Sequence, residues 1–171
     1  MVAQNMALKN QKNNNMSRRK VTIKYFPVPD GTYNSYLVNI LISRIVKSGK
    51  KTLAQNIVND TFDVIKYRLN VNPLEIFETA VKNVTPIIEV KAKRFGGATY
   101  QVPMEVNNFR GANLAIKWIL SGAKKRPGKT MAIKLANELI DASNNLGEAN
   151  KKKQETHRMA EANKAFAHFR Y

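Results

Sequence analysis

Between Asn34 and Phe169 the apolar residues recur at intervals of three and four, and only between Ile88 and Val106 does that period drop to two. The longer period places them on one face of a helix, the shorter on one face of a strand. The chain is therefore expected to be mainly α, a bundle-like body of six helices with one protruding β-hairpin. The first helix carries Leu37, Ile40, Leu41 and Ile45, and Gly49 is expected to end it. A second runs from about Thr52 to Leu69 and is expected to bury Leu53, Ile57, Val58, Phe62, Ile65 and Leu69. The third has the clearest start: Asn72 can cap, Pro73 takes the first helical position, and Glu75 completes a capping box. Its apolar face is Ile76, Phe77, Ala80, Val81 and Val84, and Pro86 stops it.

The period-two stretch consists of two runs flanking Gly96-Gly97. In Ile88 to Lys93 apolar residues alternate with charged ones; beyond the glycines Ala98, Tyr100, Val102, Met104 and Val106 alternate with Thr99, Gln101, Pro103, Glu105 and Asn107. This reads as a hairpin over about 87–106, with Pro103 excluding a central strand. A lone hairpin is marginal in water, so its apolar face must pack on the helices or meet a partner. Helical spacing then returns through Leu114, Ala115, Trp118 and Ile119. It returns again through Met131, Ala132, Leu135, Ala136, Leu139 and Ile140, ending near Gly147. A last amphipathic segment from about Ala149 to Phe169 carries Met159, Phe166 and Phe169. Residues 17–171 are read as a single domain, and 1–16, rich in Asn and lacking the apolar block of a secretory signal, as a disordered polar extension.

Charge limits the partner. The 171 residues hold 29 Lys and Arg against 12 Asp and Glu, a net +17, and a body so charged gains most by lying against a polyanion. An apolar fraction of 43% still supplies a core. The longest apolar stretch, Tyr36 to Ile42, is too short to span a membrane, and no segment joins a basic face to a broad exposed apolar one. Nucleic acid is the favoured polyanion. From Glu89 to Lys134 ten cations (91, 93, 94, 110, 117, 124, 125, 126, 129 and 134) face only Glu89 and Glu105. The hairpin tip Lys91, Lys93, Arg94 beside two glycines, with Tyr100 near, offers phosphate-binding cations and one stacking ring. Lys124, Lys125, Arg126 and Lys129 form a second cluster between helices. Arg18, Arg19 and Lys20, then Lys50 and Lys51, then Lys151, Lys152 and Lys153 are individually weak, but together they suggest a protein that RNA surrounds.

Catalytic and cofactor chemistry has no foothold. Without cysteine there are no disulfides, thiolate nucleophiles or zinc fingers. Gly122 to Thr130 resembles a phosphate-binding loop but has five residues where that loop has four, and it follows a helix where a strand is required. His157 and His168, eleven apart, would share a face of one helix about three turns from each other, too far to chelate a metal. Trp118 reads as core rather than a stacking platform. Asn15-Met16-Ser17, Asn59-Asp60-Thr61 and Asn83-Val84-Thr85 match the glycosylation pattern, which carries no meaning without a secretory signal. No catalytic residue, metal or cofactor is expected.

Several stretches are recognisable: Gly49-Lys50-Lys51, Asn72-Pro73-Leu74, Val84-Thr85-Pro86, Glu89-Val90-Lys91, Tyr100-Gln101-Val102-Pro103, Ala115-Ile116-Lys117-Trp118, Lys125-Arg126-Pro127-Gly128 and the long run from His157 to His168. From about Ser17 to Tyr171 the chain resembles the small-subunit ribosomal protein S-seven family of the bacterial type, and Met16-Ser17-Arg18-Arg19 resembles the family's usual start. The resemblance implies a non-enzymatic, primary binder of small-subunit ribosomal RNA that organises the 3′ major domain, the head. It also implies a hairpin facing the exit tRNA site near the messenger path, with small-subunit protein number eleven as a neighbour. Matching motifs make Lys91, Lys93, Arg94, Gly96, Gly97, Tyr100 and Gln101 candidates for contacts near tRNA. Arg18, Arg19, Lys20, Lys50, Lys51 and Lys124 to Arg126 become candidates for ribosomal RNA. Lys125 to Gly128 and the ending Ala165 to Arg170 look like plastid members, and the Asn- and Lys-rich composition fits an organellar genome; a bacterial cytoplasm or a mitochondrion are the alternatives. The competing function is a free-standing RNA-binding regulator or assembly factor using the same fold.

Overall fold

A computed structural model of the chain describes residues 28–170. The expected polar extension and the basic Arg18, Arg19 and Lys20 lie outside the described residues. Within them the elements are α1 (Tyr36–Ile45), α2 (Lys51–Leu69), α3 (Pro73–Val84), β1 (Ile88–Phe95), β2 (Ala98–Glu105), α4 (Asn108–Lys125), α5 (Met131–Ser143), α6 (Gly147–Ala162) and a 3-10 segment (Lys164–Arg170). The body is therefore mainly α with a single antiparallel hairpin, as the two periods require. No described helix is long and apolar enough to cross a membrane.

Helix α5 lies at the centre, against α2, α3 and α4. Val58, Phe62 and Ile65 of α2 and Phe77, Ala80 and Val84 of α3 meet Ile116 and Ile119 of α4 and Leu135 and Leu139 of α5 in one core. The Phe62 and Phe77 rings lie 5.9 Å apart, and Tyr33 packs edge-on against Phe62 at 4.9 Å. Each such side chain taken fully out of water contributes roughly 1.5–3 kcal/mol. Trp118 is half-buried against this core, as expected.

Helix α3 starts as predicted, with a variation. Asn72 Oδ1 accepts from the Leu74 N–H at 3.2 Å, and its amide nitrogen donates to Glu75 Oε1 at 3.2 Å, so the pair is held side chain to side chain. Helix α1 stops at Ile45, before Gly49; left-handed Ser48 (φ 51°) and Gly49 (φ 74°) shape the turn into α2. Helix α5 stops at Ser143, where Asn145 (φ 60°) turns the chain and the Leu146 N–H returns to the Asp141 carbonyl at 2.8 Å; Gly147 opens α6. Leu53 and Leu69, expected inside, are 56% and 40% exposed. The buried stripe of α2 runs instead through Ala54, Val58, Thr61, Phe62 and Ile65. The last helix ends at Ala162, and the chain continues as a 3-10 segment, so His157 and His168 do not share one helix.

The hairpin closes through Gly96 and Gly97, both left-handed (φ 54° and 91°), a two-residue turn matched to the twist of paired strands. Its register, from Ile88 opposite Glu105 to Phe95 opposite Ala98, couples every even position of β1 to an odd one of β2. Directly opposed residues point to the same face. Ile88, Val90 and Ala92 thus lie on the face opposite Tyr100, Val102 and Met104, and the single apolar face expected from alternation does not form. Val102 is fully buried, and the Tyr100 ring lies 5.4 Å from that of Phe166 on the 3-10 segment. At the base, the Ile87 N–H donates to His157 Nε2 at 3.3 Å, tying the hairpin to α6.

Candidate nucleic-acid interface

Two separated basic clusters meet in space. Lys50, from the α1–α2 turn, and Lys124, from the end of α4, line one cleft together with Arg44 and Lys47. The left-handed turn at Ser48 and Gly49 reverses the chain after α1 and carries Lys47 and Lys50 to the rim, while Lys124 and Lys125 occupy the last turn of α4, where the helix dipole favours cations. Arg44 and Lys47 were not singled out by sequence, since single cations near a helix end carry no signal until a second segment approaches them. No carboxylate lines this cleft. Lys51, at the start of α2, and Lys129, in the α4–α5 loop, are exposed.

A second hollow joins Lys125 to Lys151 and Lys152, with Trp118 in its wall and Glu148 and Glu155 beside the lysines. Lys151 pairs with Glu148 at 2.8 Å and Lys152 with Glu155 at 2.6 Å along α6. Such exposed pairs are worth little, and their lysines remain available to a phosphate. The Lys151 bond holds the Glu148 carboxyl below the usual carboxylate range. Lys153 is differently placed, its ammonium donating to the Asn83 carbonyl at 2.6 Å in the last turn of α3.

Arg126 is also committed within the chain. Its Nε donates to Glu138 Oε2 at 2.5 Å and its Nη2 to Asp141 Oδ2. Burial pulls on the Arg126 guanidinium, but the bonds to Asp141 and Glu138 more than offset it and raise its pKa. Glu138 is fully buried, and its Oε1 accepts from the Ala149 N–H at 3.0 Å, in the first turn of α6. One carboxylate thus fastens the α4–α5 loop and the start of α6 to α5. The close packing at this carboxylate needs Gly122, where a Cβ would stand 2.6 Å from Glu138 Oε1. The sequence signal was available: Glu138 falls on the apolar stripe of α5 between Leu135 and Ala142, where an acid must have a buried partner.

In the hairpin, Glu89 is buried and binds Arg110 Nε at 2.8 Å and Lys91 Nζ at 3.1 Å. Burial pushes the Glu89 carboxyl up, but these hydrogen bonds overcome it and hold it below its ordinary value. Arg94, Gly96, Gly97 and Gln101 are exposed at or near the tip, and Lys93 and Tyr100 are half-buried. Burial and the nearby Lys153 lower the pKa of His157. Among the described residues no group of three or more acidic or His side chains could hold a metal ion.

Residues 14–164 match the family model described as "Ribosomal protein S7p/S5e". The chain belongs to that family. Members of the S7p/S5e family are structural, non-enzymatic ribosomal components, and this chain is one. It is 60% identical to the small ribosomal subunit protein uS7 of Microcystis aeruginosa over 157 residues, covering 91% of this chain and all of the relative. It is 59% identical to the uS7 of Gloeothece citriformis over the same length and coverage. With the protein uS7c of Trieres chinensis it shares 58% identity over 144 residues, 84% of this chain and 91% of the relative.

Proposed function

We propose that the chain is a component of the small ribosomal subunit that binds the RNA of the 3′ major domain and helps to organise the head. The observation that carries this is the convergence, in a ribosomal protein, of cations from separate segments: Lys50 with Lys124, and Lys125 with Lys151 and Lys152. A helical body presenting cations on several elements can neutralise phosphates where RNA helices meet, releasing counterions and holding the junction in one arrangement. Shape is read before sequence, because paired RNA hides its base edges in a deep groove. Arg126 and Lys153 act one step back, fixing the segments that present Lys124, Lys125, Lys151 and Lys152. Arg18, Arg19, Lys20, Lys51 and Lys129 are assigned to ribosomal RNA as well.

The hairpin has a separate role: Lys91, Lys93, Arg94, Gly96, Gly97, Tyr100 and Gln101 face the exit tRNA site near the messenger path, with protein number eleven as a neighbour. Its cations are distant in sequence from the other clusters, and its base is fixed by Glu89, Arg110 and His157. Deleting residues 91–101 is expected to leave the affinity for isolated 3′ major domain RNA nearly unchanged; a large loss refutes this division of labour. A plastid ribosome is the compartment, a reading that the likeness to the uS7c of Trieres chinensis supports, with a bacterial cytoplasm, which the cyanobacterial relatives fit equally, or a mitochondrion as the alternatives.

Sedimenting a lysate at low and high salt tests the whole reading. Co-migration with the small subunit at both salts is expected. A light, RNA-free fraction would instead identify a free-standing regulator or assembly factor.

A further inference from the structure

The cleft between the α1–α2 turn and the junction of α4 with α5 has more structure than a phosphate contact requires. It encloses about 450 Å³, inside the range of small-ligand sites. Its floor is apolar, with Ala54 and Leu120 buried and Ile45, Ile57 and Met131 half-buried. Leu53 stands at the cleft more than half exposed, on the solvent side of α2, where packing of the core does not require it. Around that floor stand Arg44, Lys47, Lys50 and Lys124, with no acid. The turn that carries Lys47 and Lys50 is set by left-handed Ser48 (φ 51°) and Gly49 (φ 74°).

We infer that this cleft receives one extruded, unpaired nucleobase of the bound RNA, with its flanking phosphates on the cationic rim. The inference rests on the RNA-binding reading above. Charge decides the occupant: four cations without a carboxylate complement a ligand that is apolar in the middle and anionic on both sides, which describes a splayed-out nucleotide. Sequence-selective RNA recognition commonly takes this form, since only unpaired bases expose their faces and edges.

The test uses the full-length chain and isolated 3′ major domain RNA, with binding measured across a salt series and unpaired bases probed by dimethyl sulfate for adenine and cytosine and by a carbodiimide for uracil and guanine. Leu53→Ser removes apolar contact without touching a cation. It is expected to weaken binding about three- to tenfold, as loss of one half-buried leucine contact would. The salt dependence should stay the same, and one base protected by the parent chain should become reactive. Lys50→Gln is expected to reduce the salt slope by about one phosphate's share. Because Leu53 is more than half exposed, its variant should unfold within a few degrees of the parent temperature, which separates lost contact from lost fold. Parent-like affinity and an unchanged modification pattern in Leu53→Ser would overturn the inference while leaving RNA binding intact. Failure of the parent chain to bind the RNA would overturn the reading beneath it as well.

Discussion

The buried Glu138–Arg126 pair yields the sharpest quantitative expectation. Replacing Arg126 by Met leaves a fully buried carboxylate with only the Ala149 N–H as a partner and leaves Asp141 half-exposed beside it. Removing one member of a buried ion pair typically costs 3–5 kcal/mol, because the other charge stays desolvated. Arg126 keeps some contact with solvent, so the lower end applies, about 3 kcal/mol. For a domain of this size that corresponds to a fall in Tm of roughly 6–12 °C. Glu138→Gln is gentler, since the amide oxygen can still accept from Ala149 and Arg126 keeps Asp141; about 1–2 kcal/mol is expected.

Two further signatures separate this from ordinary loss of packing. Protonation relieves an orphaned buried carboxylate, so the deficit of Arg126→Met relative to the parent should shrink between about pH 8 and about pH 5. Adding Glu138→Gln to Arg126→Met should recover roughly 1–2 kcal/mol, because the charge left stranded is gone. Urea unfolding of the four chains at both pH values provides the measurement. A cost for Arg126→Met below about 0.5 kcal/mol, or one that does not change with pH, would refute the argument that the guanidinium exists to neutralise Glu138.

Other expectations follow from the same geometry. Gly122→Ala should destabilise by about 1–3 kcal/mol despite alanine's better helix propensity, since its Cβ would meet a carboxylate that Arg126 and Ala149 hold in place; a thermal melt above that of the parent would contradict this. Asn72→Ala should cost about 1 kcal/mol through loss of the α3 cap, read from the urea midpoint. His157, with its pKa lowered in the folded chain, binds protons better when unfolded. Its contribution is therefore complete above the unfolded value near 6.5 and is lost as pH falls from there toward the folded value. Amide exchange at Ile87, corrected for its intrinsic pH dependence, should lose protection over the same interval, and protection that does not change with pH would show that His157 does not hold the hairpin base.

Elements were legible in the sequence where local chemistry is decisive, and illegible where packing or register chooses. Asn72, Pro73 and Glu75 announce α3 because cap, ring and carboxylate act within one turn. Gly49 and Gly147 suggest later ends for α1 and α5 than these helices have, because the chain turns earlier, through left-handed Ser48 and Asn145. In α2 the large side chains mislead: small Ala54 and Thr61 sit where helices approach closely, which puts Leu53 roughly a third of a turn off the buried stripe. Leu69 lies near the stripe but at the helix end, past the core. Charge clusters were legible as clusters, but which cation is neutralised from within depends on what folds against it. Arg126 and Lys124 are two residues apart, yet one closes on Glu138 and the other lines an open cleft.

The hairpin makes the distinction between pattern and register concrete. Each strand alternates as a half-buried strand should, and alternation alone suggests one apolar face. Whether two alternating strands share that face depends on the parity of their pairing, which the length of the turn sets. With two glycines in the turn, even positions oppose odd ones, so Val102 and Tyr100 are joined by Lys91 and Lys93, while Val90 and Ala92 are joined by Pro103 and Gln101. Neither face of a hairpin built this way is wholly apolar. Val102 anchors it, Tyr100 leans on Phe166, Glu89 gathers Arg110 and Lys91 at its base, and the exposed tip includes Arg94, Gln101 and a glycine turn whose backbone can approach a partner closely. That combination suits a polar, phosphate-rich neighbour. It follows from an odd-to-even pairing that no count of apolar residues along either strand would disclose.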